Sequence, residues 1–279
     1  MNYLSKGRFP CSGLVGALAA AALALPAAAQ ATPTVQFKAK IVPIPGFPHT
    51  GNILGAGADL ETEFFIHGTE YDYGHPLPLR RVEVYFPKGT KIDTAPFPSA
   101  CTPAELESRG PAACKKEKAG PPGLAEGVVN IGGEPIHENT TIYPTFTKGG
   151  LLFFIEGSDP AKIEKVAVGH WVYNTAPPYG PKIVVEVPLI ETLPGAPFAS
   201  AEYTKVKSGA AIRKGHKVIY YGRVPLSCPK GGFPAKAVLY FGTGNSPSEW
   251  SSATAFAKVP CPPAKKGKKR RAPMRRRRR

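Results

Sequence analysis

Two glutamates, Glu61 and Glu63, have a type and spacing that could do chemistry. They lie two residues apart in the alternating segment from Asp59 to Gly68, so both carboxylates leave the same face of a strand, and a pair of carboxylates is what a glycoside hydrolase needs. Charged residues are also what the solvent-facing side of a strand ordinarily carries. We therefore interpret both glutamates as surface residues, and the sequence assigns no catalytic residue.

The other reactive residue types form no motif for metal, phosphate or nucleophilic chemistry. The run from Gly244 to Ser248 lacks the glycine pattern of a nucleophile elbow. Gly51, Gly55 and Gly57 lack the spacing of a phosphate-binding loop, and a strand pattern follows them. The histidines lack the short spacings that place two metal ligands on one face; they are His49, His67, His75, His137, His170 and His216. We expect neither a metal nor another cofactor.

Four aromatic residues, Trp171, Tyr173, Tyr179 and Trp250, could form a platform for sugar rings. For Trp171 we favour packing in the interior, because large aromatic side chains dominate β-sheet cores. A glycan is therefore a candidate partner of the body. A carbohydrate-binding module or a carbohydrate-active enzyme is the alternative function.

Four cysteines follow the N-terminal leader, which itself contains Cys11. An even number of cysteines in a chain with an export signal predicts two disulfides. Three pairings are possible, and proximity in sequence favours Cys101 with Cys114 and Cys228 with Cys261. Neither pair has the spacing of a zinc knuckle.

The C-terminal segment, residues 264–279, holds eleven Lys and Arg and no acidic residue. It has almost nothing apolar to bury, which predicts a disordered polybasic tail. The chain between leader and tail is nearly neutral, with 23 basic and 20 acidic residues, so a body dedicated to nucleic acid is disfavoured. We expect the tail to bind anionic cell-envelope polymers or lipid headgroups, with a solvated tail that has no dedicated partner as the alternative. Its basic residues are Lys265, Lys266, Lys268, Lys269, Arg270, Arg271, Arg275, Arg276, Arg277, Arg278 and Arg279.

Residues 1–29 have the pattern of a signal peptide. Lys6 and Arg8 precede an apolar run from Leu14 to Leu25, and small residues follow at Ala27 to Ala29. The run is too short to cross a bilayer as a helix. We therefore predict cleavage of the leader, a secreted or cell-surface location, and no transmembrane segment in the mature chain.

Alternating apolar and polar residues dominate the body, residues 30–263, and predict an all-β fold. The segments Asp59 to Gly68 and Arg80 to Pro87 both alternate, and we expect them to pair as a hairpin with a long loop. One short helix is predicted near residues 103–109, where Thr102 supplies a capping hydroxyl and Gly110 ends the pattern. About a dozen short strands in series predict an antiparallel β-sandwich, either one large sandwich or two small packed ones.

Four segments of the body resemble a set of uncharacterised exported proteins of high-GC actinobacteria: GNILGAGA at 51–58, GTEY at 68–71, VYFPKGTK at 84–91 and CPKGGFP at 228–234. The resemblance extends from about Val35 to Cys261 and does not include the tail. It implies export and a β-rich body, and it assigns no catalytic residue.

Together, these observations predict a non-catalytic secreted or cell-envelope-associated β-sandwich protein. Its polybasic tail would bind anionic surface polymers or lipid.

Overall fold

The computed structural model describes residues 32–47, 54–191 and 193–261. These residues are mostly antiparallel β-structure, which confirms the all-β prediction. The predicted leader and polybasic tail lie outside the described residues. The strands are β1 Thr34–Val42, β2 Asp59–His67, β3 Leu79–Pro87, β4 Lys91–Ile92, β5 Gly123–Ile131, β6 Glu134–Thr147, β7 Gly150–Gly157, β8 Ile163–Val172, β9 Tyr179–Glu186, β10 Ser200–Ser208, β11 Ala211–Lys214, β12 Lys217–Tyr220, β13 Gly222–Arg223, β14 Phe233–Phe241 and β15 Ser251–Val259.

Eleven of these strands form one large sheet, in the order β1-β2-β10-β5-β6-β7-β8-β9-β3-β14-β15. The two edge strands, β1 and β15, contact each other, so the sheet curls back on itself and is nearly closed. Two further pairs, β11 with β12 and β13 with β4, form small sheets. The main strands of the described chain therefore belong to one large sheet and not to two packed sandwiches.

The predicted pairing of β2 with β3 is wrong, although both strands alternate as expected. β2 pairs with β1 and β10, and β3 pairs with β9 and β14. Six other strands separate them in the sheet. Alternation specifies which face of a strand is buried, but most strands of this sheet share that pattern, so it does not select the neighbour.

The predicted helix is present as α1, Pro103–Arg109. The Thr102 hydroxyl accepts a hydrogen bond from the Glu105 backbone N–H at 3.2 Å, and the helix ends at Gly110, whose φ is +67°. A 3-10 helix, Pro111–Glu117, follows. α1 lies over the outer face of β7 and β8, and the 3-10 helix lies beside β6. Leu106 packs there with Phe154 and Val166 in a small second core.

Both disulfides form with the favoured pairing. Cys101 bonds to Cys114, with 5.7 Å between their Cα atoms, and ties the start of α1 to the 3-10 helix. Cys228 bonds to Cys261, with 5.8 Å between Cα atoms, and ties the end of the described chain to the segment before β14. In the loop-entropy model such closures contribute about 3–4 kcal/mol each.

Candidate ligand-binding chamber

A cavity of about 180 Å³, which we call the central chamber, lies inside the curled sheet. Side chains of β2, β3 and β5 to β10 line this space, mostly at alternate positions along each strand. Most of the lining is aliphatic or aromatic, including Leu60, Phe64, Val84, Ile142, Leu151, Phe153, Ile155, Ile183 and Val185. Such a lining favours apolar ligands.

Small side chains at several inward positions leave this space open. Ala125, Ala167, Ala199 and Ala201 all line the central chamber, on or beside strands β5, β8 and β10. A larger residue at any of them would project into the cavity. Small residues at inward-facing positions are the signal by which the sequence could have indicated a chamber. That signal becomes visible only once the strand order is known.

A second cavity of about 80 Å³ adjoins the central chamber. The two share five lining residues: Leu60, Val84, Phe86, Trp171 and Ser208. For comparison, an engineered protein cavity of about 150 Å³ with a lining of Leu, Ile and Phe stays dry and binds benzene. The interior therefore has room for a small hydrocarbon, with a further extension toward the smaller cavity.

Trp171 stands between the two cavities. Its indole N–H donates a hydrogen bond to the Tyr221 hydroxyl at 2.8 Å, and its ring packs against Phe86 with 5.4 Å between centroids. The Tyr221 hydroxyl in turn donates to the Gly150 carbonyl at 3.3 Å, and burial raises its pKa. The polar atom of the indole is thus satisfied, and the ring is free to contact an apolar ligand.

Several polar groups of the chamber wall are bonded to the protein itself. The buried Glu138 carboxylate accepts hydrogen bonds from the backbone N–H groups of Asp159, at 3.3 Å, and Ala161, at 3.0 Å. The Thr140 hydroxyl donates to the Ala125 carbonyl, and the Ser200 hydroxyl donates to the Pro76 carbonyl. Because these groups already have partners, the wall presents a largely apolar surface to a ligand.

Asp59 borders the smaller cavity and is an exception. Asp59 is 4% exposed, and its Oδ1 atom has no hydrogen-bond partner within the described part of the chain. Burial raises the pKa of this carboxyl to about 6, although the positive charge of Lys207 opposes the rise. A protonated Asp59 would place a neutral carboxylic acid beside the smaller cavity.

Glu61 and Glu63, the carboxylate pair considered first, lie on the outer face of β2. Glu61 forms ion pairs with Lys40, Lys205 and Lys207 at 3.5, 3.6 and 3.8 Å. Glu63 accepts a hydrogen bond from the Tyr203 hydroxyl at 3.0 Å. Both glutamates are therefore engaged in cross-strand pairs, and the Glu61 side chain is only 13% exposed.

The four aromatic residues considered as a sugar platform occupy different environments. Trp171 packs in the interior as predicted, whereas Tyr173 is 53% exposed. Tyr179 packs edge-on against Tyr85, and Trp250 lies beside the guanidinium groups of Arg80 and Arg81. They do not form a shared platform.

Two histidines that are distant in sequence approach the same carboxylate. The Nδ1 atoms of His75 and His137 lie 3.5 and 3.7 Å from the two oxygens of Glu202. Among the described residues, no group of three or more His, Cys, Asp or Glu has an arrangement that could hold a metal ion. His49 and the tail residues predicted to bind polyanions lie outside the described ranges.

No helix in the described part of the chain is both long and apolar enough to span a membrane. Comparison with protein-family models, with curated proteins and with solved structures finds no match.

Proposed function

We propose that this protein is a non-catalytic exported binding protein that holds one small apolar molecule in the central chamber. The observation that carries the proposal is a cavity of about 180 Å³ with a mainly aliphatic and aromatic lining. Transfer of apolar surface from water into such a cavity is favourable by about 25 cal/mol per Å². A nearly closed sheet suits this role, because a sheet of more than eight strands can enclose a ligand.

Export and surface retention complete the proposal. The two disulfides are typical of an oxidising compartment, which supports the exported location that the leader predicts. The polybasic segment, residues 264–279, would hold the protein to anionic envelope polymers or lipid headgroups. The ligand-binding body and the surface anchor would then be separate parts of the mature chain.

Titration with toluene, followed by the fluorescence of Trp171, tests the chamber. The chain contains two tryptophans, so the Trp250→Phe variant leaves Trp171 as the only tryptophan reporter. We expect a saturable change in emission. At about −0.7 kcal/mol per heavy atom, below the ceiling for small ligands, seven carbon atoms give a Kd on the order of 0.1–1 mM.

A filled chamber supplies the matched control. Ala125→Leu, made in the Trp250→Phe background, should occupy part of the cavity and weaken toluene binding at least tenfold. Ala104→Leu, at an exposed position of α1, makes the same change away from the chamber and should leave binding unaltered. A non-saturable response, or equal binding by both leucine variants, would contradict the proposal.

A further inference from the structure

A second concave site lies on the opposite face of the sheet, where β9, β3 and β14 are neighbours. This tyrosine–lysine groove has a volume of about 420 Å³, within the usual range for small-molecule sites. It is lined by Tyr85, Val172, Asn174, Thr175, Ala176, Pro177, Tyr179, Lys182 and Lys236.

Strand register places three of these residues in one row. Lys236 of β14 is directly opposite Tyr85 of β3, and Tyr85 is directly opposite Lys182 of β9. Alternation sends the adjacent residues Val84 and Ile183 into the central chamber, so the row points outward. The groove and the chamber therefore use opposite faces of the same strands.

Lys182 is already neutralised by Glu83. Its Nζ atom lies 2.7 Å from the Glu83 Oε2 atom, and the Tyr85 hydroxyl donates to the same oxygen at 2.6 Å. Burial alone would raise the pKa of Glu83, but the hydrogen bonds from Lys182 and Tyr85 outweigh it and lower the pKa. Glu83 is thus a fixed anion that holds Tyr85 and Lys182 in place.

Lys236 supplies the positive charge that remains. Its Nζ atom lies 3.7 Å from the centre of the Tyr85 ring and 5.3 Å from the centre of the Tyr179 ring. Among the described residues, Lys236 forms no ion pair with a carboxylate. A cation over an aromatic face is stabilised, but its N–H donors are not used in hydrogen bonds there. The groove therefore holds one ammonium group that can bind an anion.

We infer that the tyrosine–lysine groove binds an acidic sugar of the hexuronate type. The ammonium of Lys236 matches the sugar carboxylate. The Tyr179 ring, which packs edge to face against Tyr85 with 5.6 Å between centroids, offers apolar surface for a sugar ring. The exposed Asn174 amide can donate to and accept from sugar hydroxyls. This site is independent of the chamber and of its apolar ligand.

The source of the hexuronate is either a free sugar or an acidic polysaccharide. Galacturonic acid and tri-galacturonic acid are the two probes that separate these sources.

Calorimetric titration of the mature chain with galacturonic acid tests the inference. We expect binding, with affinity at least tenfold weaker for neutral galactose and for Lys236→Gln. Lys258→Gln removes the same charge from an exposed position on β15 and should bind like the parent. Tyr179→Ala should weaken galacturonic acid more than acetate, because it removes ring contact and no charge.

Three results would overturn the inference: no binding of galacturonic acid by the parent, an equal loss in Lys236→Gln and Lys258→Gln, or acetate that competes as well as galacturonic acid. If the inference holds, two results assign the groove to a polymer: the parent binds tri-galacturonic acid more tightly than galacturonic acid, and Lys236→Gln weakens the binding of the trimer. Equal affinities assign it to the free sugar. Toluene binding to the chamber is measured separately, so either site can fail without the other.

Discussion

Buried acidic residues are held in three different ways in this protein. Glu83 is paired with the ammonium of Lys182, and Glu138 accepts two backbone N–H groups from the connection between β7 and β8. Asp59 has an oxygen without a partner in the described chain, and its pKa is raised. An unpaired buried carboxylate destabilises the folded state when it is charged. Asp59 is therefore the residue at which stability should depend most simply on pH.

Asp59→Asn should stabilise the protein at neutral pH and have a much smaller effect near pH 4. With a folded pKa of about 6 and an ordinary value of 3.8, the folded chain keeps a proton that the unfolded chain releases. Wild-type stability therefore falls as pH rises from about 4 to about 6, and the asparagine variant lacks this loss. Allowing for solvent screening, we expect a gain on the order of 1–2 kcal/mol at pH 7.5.

Urea unfolding at pH 4, 5, 6 and 7.5 measures the difference between Asp59→Asn and the parent. Asp93→Asn, at an exposed position, is the matched control. A difference that is the same at pH 4 and pH 7.5 would contradict the assignment.

At the scale of elements, α1 and the 3-10 helix after it form a small unit on the outside of the sheet. Leu106 is fully buried between the Cys101–Cys114 disulfide and the side chains of β7 and β8. The Glu107 carboxylate also accepts a hydrogen bond from the Val166 backbone N–H at 3.3 Å. A helix of two turns is marginal by itself, so packing and the disulfide hold it in place.

Leu106→Ala should destabilise this unit by about 2–5 kcal/mol, because it removes buried methyl groups and leaves a cavity. We expect amide exchange of residues 103–109 to accelerate at least tenfold, while the exchange of β14 changes less. Hydrogen exchange with mass spectrometry measures both. Ser108→Ala, at an exposed position of the same helix, should exchange like the parent. Uniform acceleration across the sheet would show that the helix is not a separate unit.

At the scale of the whole molecule, closure of the sheet separates two environments. The inner face holds the central chamber and the main core, and the outer face holds the tyrosine–lysine groove and the helical unit. Because the two edge strands, β1 and β15, contact each other, strands surround the interior around the whole circumference of the sheet. A ligand in the chamber would be partly shielded from water, because the chamber is only partly enclosed.

Removal of residues 264–279 should abolish binding to anionic vesicles. Each basic residue near such a surface contributes about 1 kcal/mol, and salt screens the attraction. We expect the mature chain to sediment with phosphatidylglycerol vesicles at 50 mM salt and to be released near 500 mM. A variant with a Gly/Ser tail of equal length is the control for size. Unchanged sedimentation of the truncated chain would place membrane binding in the body.

Local features could be predicted from the sequence because each depends on residues close together in the chain. A two-residue period specifies the buried face of a strand, as at Leu60 and Phe64. The cap at Thr102 involves residues three positions apart, and the Cys101–Cys114 disulfide closes a loop of 13 residues. Composition alone marked the basic tail, and the number of cysteines predicted the disulfides.

The tertiary structure decided which strands are neighbours, and with that both candidate sites. The central chamber exists because alanines from β5, β8 and β10 face one interior, and the groove exists because Lys236, Tyr85 and Lys182 are in register on three strands. These residues lie far apart in sequence, and the alternation within their strands looks the same whichever strands are neighbours. Hydrophobic alternation is a local property, whereas strand order and register depend on how the whole sheet closes.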